Sequence, residues 1–189
     1  MAESDHKPGD ARARGETIAR ILASDAQPAP APLTAEAYRF LGDTDLPASR
    51  YTCQTFLQQE LSKMWSRCWQ WACREEHLPE VGDHYVYDIG PYSVIVARIA
   101  RDEIKAFINS CTHRGTRLLG DEGVGHGQGF SCPFHGWSWH LNGVLKEVPG
   151  HWDFPHVCEA SHSLQPVACD SWQGFVFINL DPDASPLHE

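Results

Sequence analysis

Cys111-Thr112-His113-Arg114-Gly115 and Cys132-Pro133-Phe134-His135-Gly136-Trp137 are the two stretches on which the reading of this chain turns. Each supplies one soft thiolate and one imidazole, and each carries a glycine just beyond its histidine. The spacings are C-x-H and C-x2-H, so Cys111, His113, Cys132 and His135 form a candidate metal-ligand set. Two Cys and two His could hold a tetrahedral structural zinc, and such sites are common. Zinc modules usually pair like ligands, C-x2-C with H-x3-5-H, whereas here each half is mixed. A chance meeting of buried cysteines and surface histidines is the other alternative, since the chain has 7 Cys and 11 His.

Working outward, the bulk composition narrows the class. A chain of 189 residues with 42% hydrophobic content and 7 Trp can bury a substantial core, as one domain with appendages. No apolar run approaches the roughly 20 residues needed to span a bilayer. Met1-Ala2-Glu3-Ser4-Asp5-His6 lacks the basic start and apolar centre of a secretory signal. A formal net charge of −10 argues against nucleic-acid binding, which wants a basic patch. That charge reads as solubility or as attraction for a basic redox partner. The five cysteines outside the motif are Cys53, Cys68, Cys73, Cys158 and Cys169. They show no framework-like spacing, which fits a reducing, cytoplasmic setting. Cys68 and Cys73, beside Trp65, Trp69 and Trp71, read as core packing.

The segmentation follows from periodicity and breakers. Residues 1–34 are expected to be a disordered tail with at most one short helix near Glu16–Leu22, because Gln27-Pro28-Ala29-Pro30-Ala31-Pro32 cannot sustain hydrogen-bonded ladders. Residues 35–75 are expected to be a helical N-terminal segment. Its helix is placed at Cys53–Arg67 with Thr52 as N-cap, on a stripe of Leu57, Leu61, Met64, Trp65 and Cys68. Strands are expected at Tyr85–Ile89, Tyr92–Ile99, Ile104–Asn109, Trp137–His140, Val144–Val148, Leu164–Cys169 and Gly174–Leu180. Leu141-Asn142-Gly143 is a hairpin signal. Short strands at regular spacing predict a mainly β, antiparallel core.

The motif resembles the Rieske [2Fe–2S] centre, in which two histidines replace two cysteines on one iron. The run Leu46-Pro47, Tyr51, Phe56, Glu60, Trp65, Trp69, Glu80-Val81-Gly82-Asp83-His84-Tyr85 and Phe107-Ile108-Asn109-Ser110-Cys111-Thr112-His113-Arg114-Gly115 extends the likeness. It is similar to the N-terminal part of the large (α) subunit of aromatic-ring-hydroxylating Rieske non-heme iron oxygenases, over about residues 46–182. The resemblance implies an antiparallel Rieske-type domain at 76–182, with residues 183–189 starting a linker. Cys111 and Cys132 would bind one iron as thiolates, and His113 and His135 the other as imidazoles. Gly115 and Gly136 would permit tight turns, Pro133 would fix the second loop, and Phe134 and Trp137 would shield the cluster. Arg114 reads equally as a docking cation or a solvated surface residue.

The same resemblance separates this chain from respiratory and photosynthetic Rieske proteins. Those carry a disulfide between the cluster loops; Thr116 and Phe134 hold the corresponding places here. They also place a serine and a tyrosine hydroxyl near the cluster, where this chain has Trp137 and Trp139. Losing those hydrogen bonds lowers the potential, toward the bottom of a range of about −150 to +300 mV.

In the oxygenase family a larger C-terminal domain holds a mononuclear Fe(II) on two histidines and a carboxylate. Asp153, His156 and His162 imitate that pattern only superficially, because they fall inside the Rieske region. No catalytic residue is therefore expected in this chain, and the mononuclear iron is expected in a domain it does not contain. The implied function is electron acceptance from an NAD(P)H-dependent reductase or ferredoxin, and delivery to an iron that hydroxylates an aromatic or related hydrophobic substrate with O2. A homotrimer or α/β hetero-oligomer is implied for the full-length protein. A free-standing Rieske ferredoxin is the alternative, but the Trp65/Trp69 segment and the long N-terminus favour the oxygenase. A zinc-binding interaction module is the third reading.

Overall fold

A computed structural model describes residues 18–30, 44–120 and 123–188. The chain divides into two compact units, Met1–Ser49 and Arg50–Glu189. Within the first, the described residues include the short helix α1 (Ile18–Ala23). Residues 16 and 17, where the tail helix was expected to begin, lie outside the described residues, as do residues 31–43.

Two short helices, α2 (Ser49–Thr52) and α3 (Gln54–Glu60), lead into a π-helical turn at Leu61–Trp65. The helix expected over Cys53–Arg67 thus runs from Gln54 to Trp65, with its second part π-helical. Thr52 is not the N-cap; it closes α2, and Cys53 takes the cap position with extended backbone (φ −84°, ψ 114°). Leu61 alone of the apolar stripe is buried, and its side chain fills the space over Gly90. Leu57 and Met64 remain exposed.

The helical segment expected to reach residue 75 also stops short, because Gln70–Arg74 is strand β1. It is followed by β2 (Asp83–Ile89), β3 (Tyr92–Ala100), β4 (Glu103–Ile108), β5 (Gly123–His126) and β6 (Gly129–Ser131). Then come β7 (Ser138–His140), β8 (Leu145–Glu147), the helical turn α4 (Glu159–His162), β9 (Pro166–Trp172) and β10 (Phe175–Asn179). A seven-stranded sheet runs β1-β10-β9-β4-β3-β2-β5, and a three-stranded sheet runs β6-β7-β8. Every pairing is antiparallel.

Strand β3 explains the layering. Its run Val94-Ile95-Val96-Ala97 is wholly buried, as a strand covered on both faces must be. Val94 and Val96 face one core with Ala72, Cys73, Leu78, Ala106, Val176 and Ile178. Ile95 and Ala97 face the other, shared with Phe107, Phe130, Trp137, Trp139, Leu145 and Leu164. The second core joins the two sheets, and Cys111 and Cys132 sit in it.

The hairpin at 141–143 forms as expected: the Gly143 amide donates to the His140 carbonyl at 2.9 Å, and the His140 amide to the Val144 carbonyl at 2.9 Å. The last hairpin turns later than expected. Strand β9 continues to Trp172, and the reversal falls on Gln173 (φ 52°) and Gly174 (φ 80°), the paired positive φ values of a type I′ turn.

Candidate metal centre

Both motif loops are built on one backbone frame. In the first, the Cys111 amide donates to the Thr116 carbonyl at 2.8 Å, and the Gly115 amide to the Cys111 carbonyl at 2.8 Å. In the second, the Cys132 amide donates to the Trp137 carbonyl at 2.7 Å, and the Gly136 amide to the Cys132 carbonyl at 3.1 Å. Gly115 (φ 74°) and Gly136 (φ 72°) occupy equivalent left-handed positions, which glycine takes at little cost. The histidine sits one position later in the second loop, so the two rings leave the common frame at different points.

The frame also aims donors at sulfur. Burial opposes ionisation of Cys132, yet the amides of His135 and Phe134, with the Cys111 and Thr116 side chains, outweigh it and hold its pKa below the ordinary thiol value. For Cys111 burial prevails over the amides of His113 and Arg114, and its pKa is raised. The two thiols are in contact with each other and only 3% exposed.

The imidazoles form a second pair, with ring centroids 4.9 Å apart. His113 is half-buried and stacks on Trp137 at 4.7 Å, with planes 5° from parallel. Its Nδ1 is buried without a hydrogen-bond partner in the protein. A buried imidazole nitrogen left bare is costly unless it serves as a ligand. Burial, then the neighbouring His135 and Arg114, lowers the His113 pKa, which favours the neutral, ligating form. His135 lies at the surface, and Phe134 stacks on it at 4.0 Å. Trp137 covers the site from within at 2% exposure, whereas Phe134 is 63% exposed and shields one ring only.

Cysteine faces cysteine and histidine faces histidine. Among the described residues, no three His, Cys, Asp or Glu side chains converge as one ion would require. This two-plus-two arrangement, with the bare His113 nitrogen, fits a cluster of two metal ions better than a single tetrahedral zinc.

Asp153, His156 and His162 lie on the segment between β8 and β9. Asp153 lies exposed in a turn, His156 is exposed, and the His162 ring stands 6.2 Å from that of His156, with its Nδ1 at 2.8 Å from the Ser161 hydroxyl. Arg114 is exposed.

Asn109, not singled out by its sequence, closes the base of the first loop. Its Nδ2 donates to Ser93 Oγ (3.0 Å) and the Leu119 carbonyl (2.8 Å), and its Oδ1 accepts from the amides of Leu118 (3.1 Å) and Leu119 (2.9 Å). At 3% exposure the side-chain amide is thereby fully satisfied.

Residues 68–157 match the Rieske [2Fe-2S] domain family model. These residues form a Rieske domain. It is of the type found in oxygenase large subunits. The chain is 32% identical to the biphenyl 2,3-dioxygenase α subunit of Rhodococcus jostii, covering 72% of this chain and 30% of that one. It is 34% identical to the large oxygenase component of a Pseudomonas putida naphthalene 1,2-dioxygenase system (71% and 30%), and 29% identical to the Escherichia coli carnitine monooxygenase oxygenase subunit (76% and 38%). Among solved structures, naphthalene 1,2-dioxygenase from Rhodococcus sp. bound to indole superposes with a TM-score of 0.65 at 31% identity, over 70% of this chain and 31% of that one. A quaternary ammonium Rieske monooxygenase gives 0.68 at 26%, over 75% and 39%. The Rieske chain thus spans about a third of the length of the curated relatives it matches.

Proposed function

We propose that Cys111 and Cys132 hold one iron of a [2Fe–2S] cluster and His113 and His135 the other. The observation that carries this is the two-plus-two pairing of thiols and imidazoles on twin loops, with the His113 nitrogen buried and bare. When bound, the cluster supplies one-electron redox chemistry. The chain's own residues do the rest: amides of His135 and Phe134 stabilise the Cys132 thiolate, and Trp137 keeps water from His113. His135 is exposed, so a cluster held there would present its histidine side to a partner.

In this reading the domain is the electron-accepting part of an oxygenase α subunit. Electrons come from an NAD(P)H-dependent reductase or a ferredoxin, and go to a mononuclear iron outside this chain for O2-dependent hydroxylation. The biphenyl and naphthalene relatives support an aromatic or related hydrophobic substrate; the carnitine relative keeps the wider class open. Oxygenase subunits among the relatives favour this over a free-standing ferredoxin. The five cysteines outside the motif form no disulfide, which supports a reducing, cytoplasmic setting. Among the described residues no helix is long and apolar enough to cross a membrane. Assembly into a homotrimer or α/β hetero-oligomer belongs to the same proposal.

Metal and sulfide analysis tests the assignment. Purified protein should contain two irons and two acid-labile sulfides per chain, as a [2Fe–2S] cluster requires. Either His113→Ala or His135→Ala should abolish the histidine-ligated cluster spectrum. Stoichiometric zinc without labile sulfide would overturn the proposal.

A further inference from the structure

The two motif loops hang from different sheets. The first follows β4 of the seven-stranded sheet, and the second joins β6 to β7 of the three-stranded one. No cysteine pair forms a disulfide, so none ties the loops. Yet four side chains split between them must keep a fixed separation, since an offset of an ångström degrades a metal site.

A strap formed by residues 158–165 spans the gap. On the side of the large sheet, the Gln165 carbonyl accepts from the Ile108 amide at 2.9 Å, at the end of β4. On the side of the small sheet, the Leu164 amide donates to the Gly143 carbonyl at 2.8 Å, and Ser163 Oγ accepts from the Leu145 amide at 3.1 Å. Between these anchors lies the His162 carbonyl. It accepts the hydroxyl of Thr112, the residue between Cys111 and His113, at 2.8 Å. It also accepts the indole N–H of Trp139, on the strand that leaves the second loop, at 2.9 Å. Both lone pairs of one main-chain oxygen are thus spent on joining the loops. Strap helix α4 holds that oxygen, because the His162 amide is itself bonded to the Cys158 carbonyl at 3.0 Å. The His162 ring packs 5.8 Å from Trp137, the ring on which His113 stacks.

We propose that Thr112 and the His162 carbonyl are the positioning pair that sets the separation of the two cluster loops. The inference rests on the proposed cluster assignment. Thr112 touches no reacting atom; it acts through the backbone it shares with Cys111 and His113. Removing its hydroxyl frees the first loop to drift relative to the second while both sheets stay folded.

The test uses the whole chain with its cluster loaded, comparing Thr112→Val, Thr112→Ser and Ser163→Ala with wild type. Cluster loss under a chelator is followed by visible absorbance, and the reduced cluster is examined by electron paramagnetic resonance. Thr112→Val should lose cluster about tenfold faster, the equivalent of one hydrogen bond in a rate, and show shifted or broadened g values. Thr112→Ser should restore both. Ser163→Ala, which loosens the strap from the opposite side, should move both readouts in the Val direction. A merely structural role would lower the melting temperature and leave the g values unchanged. Wild-type loss rates and spectra in both Thr112→Val and Ser163→Ala would overturn the positioning role. A wild-type protein without labile sulfide would instead overturn the cluster assignment and this inference together.

Discussion

Single side chains here are set by what surrounds them, and the cysteines show it most directly. Cys73 is 1% exposed, and burial, then the nearby Glu75, pushes its thiol up to about 12. Burial, then Cys73 and Asp170, does the same to Cys169, also to about 12. Cys158 is exposed, and the Ser161 hydroxyl and amide hold its pKa below the ordinary thiol value. The thiolate is the nucleophile, so reactivity should follow this order. Iodoacetamide on folded protein at neutral pH should label Cys158 readily. Cys73 and Cys169 should stay unmodified until denaturant is added, as peptide mass mapping would show. Equal labelling of Cys73 and Cys158 would contradict the packing described. None of this order is visible in the spacing of the cysteines, because depth of burial is not a local property.

At the scale of elements, glycine marks where two pieces of backbone come close. Gly143, at φ 81°, has the Phe107 ring where a Cβ would stand, so the β7–β8 hairpin rests directly on β4. Gly143→Ala adds a clash to a strained φ and should cost about 1–3 kcal/mol, read as a lower urea midpoint at unchanged slope. Gly120, with ordinary φ and open space around it, is the control; Gly120→Ala should be neutral or slightly stabilising. The Asn142-Gly143 signal was legible because a tight turn has a local chemistry. Strands β5 and β6 were not. Their sequences, Gly123-Val124-Gly125-His126 and Gly129-Phe130-Ser131, have poor strand propensity, and pairing to β2 and β7 is what extends them. Gly125 lies opposite His84, whose ring fills the place a side chain would need. Strand β1 is illegible in the sequence for another reason. The bulge between Trp71 and Cys73 breaks its alternation, so Ala72 and Cys73 are both buried.

Across the domain, the two sheets meet in a shared apolar core, and His84 stands at that junction. Its ring lies 6.4 Å from Phe130 of the small sheet, and its Nδ1 is buried without a partner. Burial lowers its pKa, and His126 adds to this, while the Gly82 backbone and Asp83 oppose it. The sign follows. The folded state favours neutral His84, so its contribution is full above the unfolded pKa of about 6.5 and is lost as pH falls through the folded value. Urea midpoints measured from neutral to mildly acid pH should therefore fall less steeply in His84→Phe than in wild type. Parallel pH profiles would rule out His84 as a source of acid sensitivity. The cluster motif, the antiparallel strand pattern from β2 to β4 and the hairpin at 141–143 were determined by the sequence alone. Each rests on residue types at short range, where ligand chemistry, side-chain alternation and turn geometry act on neighbours. The pairing of thiol with thiol and ring with ring, the four bonds of Asn109 and the double acceptance by the His162 carbonyl were decided by the tertiary structure. A main-chain carbonyl is the same at every position, and only the approach of distant strands gives this one its partners.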